Sequence, residues 1–337
     1  MSGLPLISVV IPFRDAAPWI NEALGSIAVQ TLQDFEVVLV ADNSTDDSAA
    51  ICSRWCGADR RFRLESSTGR GLVDALNTGL ELSLGKWIAR FDADDVSMPD
   101  RLTEQLLLAE KLGDRSVISC MVRSFPESTV SDGYRNYENW INSLISHDDI
   151  EKGIFIESPI PHPSAFFSRE EVLSEGGYRD SGLPEDYELW LRLWSRGFRF
   201  ERVPAVLLGW RERRDRLSRI SPVYALSRFY RLKAEYLRYA PAAAEGKLLV
   251  AGTGQSARRL SGYLLAEGFE IVAFLDPSPP REGRELRGVP VIGPNELERY
   301  PDTVVIVASR APGARSEIIR FLESTGRSNW KDFIVCA

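Results

Sequence analysis

Hydrophobic and polar positions keep two alternating rhythms along the first 120 residues. Short strand-type runs, several almost wholly apolar, occur at "LISVVIPF" (6–13), "FEVVLVA" (35–41), "RFRLES" (61–66) and "KWIARF" (86–91). Between and after them, apolar residues recur every three to four positions at roughly 18–29, 46–56, 71–83 and 99–112. Strands with apolar residues on both faces need helices on both sides, so the pattern predicts an α/β doubly wound sheet. Ligands of such sheets lie beyond the carboxyl ends of the strands. The polar loops "RDAAPW", "DNSTDDS" and "DADD" fall there.

Residues 124–163 break the rhythm; rich in Ser, Asn and aromatics, they read as an irregular insertion or a lid on the acceptor side. Tyr187, Trp190, Leu191 and Trp194 then recur at i, i+3, i+4 and i+7, which predicts a helix starting near Glu185 with that face buried. Another helix is expected over 221–239, and "APAAAEG" (240–246) reads as a linker. From Lys247 a second α/β unit begins, with "KLLVA", a glycine turn, a helix, "FEIVAFLD", "VPVIG" and "TVVIVAS". The expected organisation is a first domain over 1–240, a linker at 241–246 and a smaller domain over 247–337.

Length and composition narrow the classes. The 337 residues favour two domains, and 44% hydrophobic with 26% charged residues is an ordinary globular composition. The net charge of −7 speaks against a nucleic-acid binder. Residues 246–337 hold 12 of the 41 basic and 11 of the 48 acidic residues, so the acidity belongs to the first domain. No apolar run is long enough to span a membrane, and "MSGLPLISVVIPF" lacks a basic leader, which favours the cytoplasm. Cys52 and Cys56 fit core packing on a helix, and two histidines, His147 and His162, make a His-based zinc site improbable.

The stretch "ARFDADDVSMPDR" (89–101) carries the first candidate chemistry. Asp92, Asp94 and Asp95 repel one another, so they form either a solvated acidic turn, with Ser97 before Pro99 opening a helix, or a cation site at a strand end. The stretch alone leaves both open.

Four motifs in order, "VVIPFRDAAPWINEALGSIAVQT", "FEVVLVADNSTDDS", "GLVDALNTGLELSLGKWIARFDADD" and "LPEDYELWLRL", resemble the family 2 glycosyltransferases across residues 6–239. The resemblance implies the GT-A nucleotide-diphospho-sugar transferase fold and inverting transfer of a sugar from a nucleoside-diphosphate sugar with Mg2+ or Mn2+. It favours the cation reading: Asp94 matches the direct metal ligand of the DxD motif, Asp92 a ligand or ribose contact, and Asp95 an assisting or capping acid. Asp42 matches the acid that meets the donor base, although Ala41 replaces its usual acidic neighbour. Asp46 suits a helix cap. Pro12 and Phe13 match the wall of the nucleotide pocket, Arg14 stands where tyrosine is common, and Arg70 is a candidate donor contact or a solvated loop residue. Asp186 matches the general base, while both Glu185 and Asp186 would also complement a helix N-terminus. No histidine follows in "GWRERRDRLSR", so Arg211 or Arg213 would meet the leaving phosphates instead. His162 matches an acceptor-side position or serves the core.

The implied partners are the donor and a saccharide or lipid-linked acceptor. Nine Lys/Arg in 211–239, interleaved with Phe229, Tyr230, Leu232, Tyr236 and Leu237, would suit peripheral contact with the inner face of an anionic membrane, or a solvated helix. A homo-oligomer is compatible with the sequence, which does not specify one. Gly252, Gly254 and Asp276 resemble the Rossmann-like nucleotide-binding domain that precedes sugar acetyltransferases, and so mark either a candidate second nucleotide site or a degenerate domain kept for docking or dimerisation. A non-catalytic nucleotide-sugar sensor is the alternative reading. A dehydrogenase built on the second unit lacks a catalytic partner.

Overall fold

A computed structural model describes residues 3–278, 283–310 and 313–337. By packing the chain forms two compact units. The first comprises the residues up to Ile150 with Pro159–Ile220, and the second Glu151–Ser158 with Ser221–Ala337.

The first unit is built on strands β1 (Ile7–Phe13), β2 (Phe35–Ala41), β3 (Phe62–Ser66), β4 (Trp87–Arg90), β5 (Val96–Ser97), β6 (Ser116–Phe125), β7 (Phe166–Ser168) and β8 (Arg199–Arg211). They form one mixed sheet in the order β3-β2-β1-β4-β7-β6-β8-β5. The four predicted strands are therefore the parallel half. All seven residues of β1 are buried, as expected for a central strand with helices on both faces. Helix Leu72–Leu82 lies so near the sheet that a Cβ at Gly79 would fall 2.3 Å from Val10 Cγ1; glycine permits this approach.

Register then positions the site. Phe13 pairs with Ala41, and Asp42 donates its N–H to the Phe13 carbonyl at 2.9 Å. Phe91 donates to the Val10 carbonyl, so the acids after β4 emerge at the same sheet edge. β5 pairs antiparallel with Leu208 and Gly209, which draws the end of β8 against those acids.

Two local expectations fail. Ser97 belongs to β5 and caps nothing; the next helix starts at Arg101 after Asp100. Residues 124–163 include helices Asp132–Ser143 and His147–Gly153. Ser131 caps the first by accepting from the Tyr134 N–H, and Tyr134, Tyr137, Trp140 and Ile141 turn one face inward against the core. Polar composition masked that spacing. Helix Glu185–Ser195 begins where expected, with Tyr187, Trp190, Leu191 and Trp194 all buried.

The second unit has strands β9 (Lys247–Ala251), β10 (Glu270–Leu275), β11 (Glu285–Leu286), β12 (Val289–Ile292), β13 (Val304–Val307) and β14 (Phe333–Val335), in the order β11-β12-β10-β9-β13-β14. The stretch expected as a helix over 221–239 is a short turn and helix Leu226–Leu237, packed in this unit. Tyr230, Leu232, Lys233, Tyr236 and Leu237 are buried there. That apolar face belongs to a core and is closed to a membrane. Among the described residues no helix is long and apolar enough to cross one.

Candidate active site

The acids after β4 converge. One carboxylate oxygen from each of Asp92, Asp94 and Asp95 lies within 4.8 Å of the others. Burial first, then the Asp92 charge, raises the Asp94 carboxyl above its ordinary range. Burial first, then Asp92 and Asp94, raises that of Asp95 much further. Asp95 Oδ1 accepts from the Arg211 N–H at 2.7 Å, whereas buried Oδ2 has no hydrogen-bond partner among the described residues. Hard oxygens, excess negative charge and an orphaned carboxylate oxygen fit a small divalent cation.

Arginines supply the positive charge that is present. Arg213 Nε lies 2.9 Å from Asp94 Oδ2, its guanidinium 4.0 Å over the Trp19 ring. Arg211 Nε donates to the Asp94 carbonyl at 2.6 Å and its Nη2 pairs with Glu22. Arg216 donates to the Tyr134 hydroxyl at 2.7 Å. Its burial opposes its charge, but Tyr134 and the three acids outweigh that and raise its pKa. Arg90 is buried in β4, with Nη1 2.6 Å from Asp92 Oδ1.

Asp186 opens helix Glu185–Ser195, half-buried. Burial, then the adjacent Glu185 charge, pushes its carboxyl up to about 7, while Arg90 works in the opposite direction. Buried His162 joins its Nε2 to the Tyr178 hydroxyl at 2.8 Å, with Nδ1 3.8 Å from Glu185 Oε1. Burial and Arg90 hold this imidazole well below its usual pKa, so it is neutral. Arg90 thus acts electrostatically on Asp92, Asp186 and His162 together.

The remaining candidates separate. Pro12 and Phe13 are buried at the end of β1. Asp42, also buried, accepts from the Gly71 N–H at 3.0 Å, which ties it to the loop carrying Arg70. Arg70 and Arg14 are exposed, the latter 3.8 Å from Asp15. Asp46 accepts from Ser48 at 3.0 Å and Ala17 at 2.9 Å, joining the first two polar loops, though Asp47 is the residue that precedes the helix. In the second unit Gly252 takes φ +113°, as a tight turn requires. Asp276 accepts from Thr253 at 2.8 Å and Arg284 at 3.0 Å through Oδ2, and from the Ser278 N–H at 3.1 Å through Oδ1.

Arg90, Arg216, Trp19 and Tyr178 are the contributors that sequence reading missed. An arginine inside "WIARF", just before three acids, was the one available signal.

The glycosyl transferase family 2 model matches residues 8–177, half of the chain. The chain belongs to glycosyl transferase family 2. It is a glycosyltransferase, with the GT-A-like sheet described above and a second α/β unit. Amylovoran biosynthesis glycosyltransferase AmsE of Erwinia amylovora is 29% identical over 59% of this chain and 73% of its own length. An Escherichia coli enzyme named UDP-Gal:alpha-D-GlcNAc-diphosphoundecaprenol beta-1,3-galactosyltransferase is 29% identical over 69% of this chain and 85% of its own. Residues 1–349 of Staphylococcus aureus TarS, solved with UDP-GlcNAc, match in fold with a TM-score of 0.57 at 16% identity, covering 77% of this chain and 71% of that one. The mannosyltransferase PcManGT of Pyrobaculum calidifontis, solved with GDP-Man and Mn2+, matches with a TM-score of 0.50 at 23% identity, covering 79% and 70%.

Proposed function

We propose that this glycosyltransferase moves a sugar from a nucleoside-diphosphate sugar to an acceptor hydroxyl with inversion, in the assembly of a polysaccharide or glycoconjugate. The observation that carries the reading is the gathering of Asp92, Asp94 and Asp95 beside buried Arg90, whose field also reaches an Asp186 poised near neutral pH. A base with a pKa near the working pH removes a hydroxyl proton most effectively.

Asp94 and Asp92 would hold Mg2+ or Mn2+, which when bound offsets the charge growing on the diphosphate. Asp42 accepts hydrogen bonds from the donor base, between Pro12, Phe13 and the Arg70 loop. Asp186 takes the acceptor proton as the hydroxyl oxygen attacks the anomeric carbon and the diphosphate leaves. Arg211 and Arg213 lie against the Asp94 segment and exchange that contact for the leaving phosphates. Neutral His162 and buried Glu185 orient the acceptor side.

A lipid-linked acceptor suits the exposed Leu217 and Ile220, which follow exposed Arg214 and flank Arg219 at the end of the first unit. The test is product formation from nucleotide sugars with Mn2+ by the parent, Asp186→Asn and Asp94→Ala, with the anomeric configuration read by NMR. Retained configuration, or full activity in Asp186→Asn, would refute the reading.

A further inference from the structure

Cationic side chains gather in the second unit that sugar transfer leaves without a task. Lys233 is buried in helix Leu226–Leu237, and its Nζ donates to the carbonyls of Ile156 at 2.9 Å and Cys336 at 3.0 Å. Both acceptors are neutral, and among the described residues no carboxylate pairs with the amine. Cys336 in turn donates its N–H to Val307 at 2.8 Å, so the amine lies near the carboxyl end of β13. Arg310, just beyond that end, reaches Glu157 only at 4.0 Å. Arg315 sits half-buried in the first turn of helix Ala314–Ser324, where a cation opposes the helix dipole. It makes no hydrogen bond or ion pair among the described residues, and the charge acting on it is that of Arg310. Glu157 is the carboxylate that acts on Lys233 and Arg310, while Arg315 faces Arg310. Burial lowers the pKa of Lys233; Glu157 and Cys336 oppose that shift, and Arg310 and Arg315 add to it. Such a cluster is electrostatically frustrated until an anion joins it.

The place is the one this topology leaves for a ligand. β9 has β10 on one side and β13 on the other, which makes the gap beyond β9 and β13 a topological switch point. Ala308 donates to the Ala251 carbonyl at 2.9 Å, and a Cβ at Gly252 would stand 3.4 Å from the Ala308 carbonyl oxygen. A Cβ at Gly254 would meet nothing within 4 Å, so the turn is open there.

We infer that the second unit binds a small phosphate-bearing anion beyond the carboxyl ends of β9 and β13, gripped by Arg310 and Arg315 with the buried charge of Lys233 behind them. This site lies within the second unit, apart from the Asp92–Asp94–Asp95 cluster, and needs no divalent cation. It differs from the motif-based expectation by resting on arginines instead of Asp276.

The test is calorimetric titration of the full chain in EDTA with orthophosphate, pyrophosphate and UDP. Parent and Asp94→Ala bind pyrophosphate with equal affinity, and the Arg310→Ala/Arg315→Ala variant binds at least about tenfold more weakly, as expected for lost charge-assisted contacts. Arg315→Lys, which keeps the charge and loses the fork, falls between them. UDP binding that is tenfold tighter than pyrophosphate and is weakened by the Arg310→Ala/Arg315→Ala variant identifies a nucleotide as the ligand, and equal binding identifies phosphate recognition alone. Either outcome supports the site. Absence of saturable binding up to about 10 mM would overturn it, since affinity would then be weaker than any specific site requires. Binding that persists in the double variant, or vanishes in Asp94→Ala, would overturn it too. Transfer activity is scored separately, so loss of either proposal leaves the other standing.

Discussion

Glu185 offers the sharpest probe of the base. Asp186 titrates near 7 instead of 3.8 because it is buried first, and because Glu185 carries like charge beside it second. Neighbouring carboxylates at an effective dielectric of about 20 interact by roughly 2 to 3 kcal/mol, which corresponds to about one and a half to two pH units. Glu185→Gln removes that part and leaves the burial, so Asp186 should titrate between about 5 and 5.5. The base works as a carboxylate, so activity rises as pH rises through its pKa, and lowering the pKa extends activity toward acid. The assay is kcat/KM for donor and acceptor from pH 4.5 to 9, whose acid limb reports the free enzyme. At pH 5.5 the ionised fraction rises from about 3% to about half or more, at least a fifteenfold gain relative to each protein's own plateau. The height of the plateau is not the readout; the position of the limb is. A limb that stays near 7, or moves upward, would show that Asp186 is not the titrating base.

Three further outcomes follow from the same contacts. Asp92→Asn strips the half-buried partner from Arg90 but also relieves its repulsion with Asp94 and Asp95, so the net cost should stay below about 3 kcal/mol, less than for a fully buried pair, measured by urea unfolding. Ser131→Ala removes the cap of helix Asp132–Ser143 and should cost about 1 kcal/mol by the same measurement. The parent should float with vesicles containing anionic lipid at low salt, and Leu217→Ser/Ile220→Ser should float several-fold less, because both side chains are exposed beside arginines.

Much of the fold was legible because its signals are local. The apolar runs became β1 to β4 within one residue at each end, and the Tyr187–Trp194 spacing marked its helix correctly. Helix Asp132–Ser143 escaped notice because Ser, Asn and Gly dilute a face defined by its packing against Trp210 and by bonds to β6. The packing of Glu151–Ser158 with the second unit was equally hidden, since it depends on distant partners such as Lys233. At the candidate site, the acids were visible as a cluster and Arg211 and Arg213 as phosphate contacts, but the direct pairing of those arginines with the acids was not. Arg211 and Arg213 come from more than a hundred residues away and arrive only because β8 pairs with β5. Arg90 lay in plain view, yet its reach toward both Asp92 and Asp186 exists only once β4 and helix Glu185–Ser195 are assembled.

The most direct measurement is a thermal-shift panel of UDP, GDP, dTDP and CDP, each with and without Mn2+, on the parent and Asp94→Ala. The account predicts that one nucleotide stabilises the parent, that Mn2+ enlarges the shift, and that the metal-dependent increment disappears in the variant. Equal Mn2+-dependent shifts in parent and Asp94→Ala would contradict the assignment of the Asp92–Asp94–Asp95 cluster as the donor and metal site.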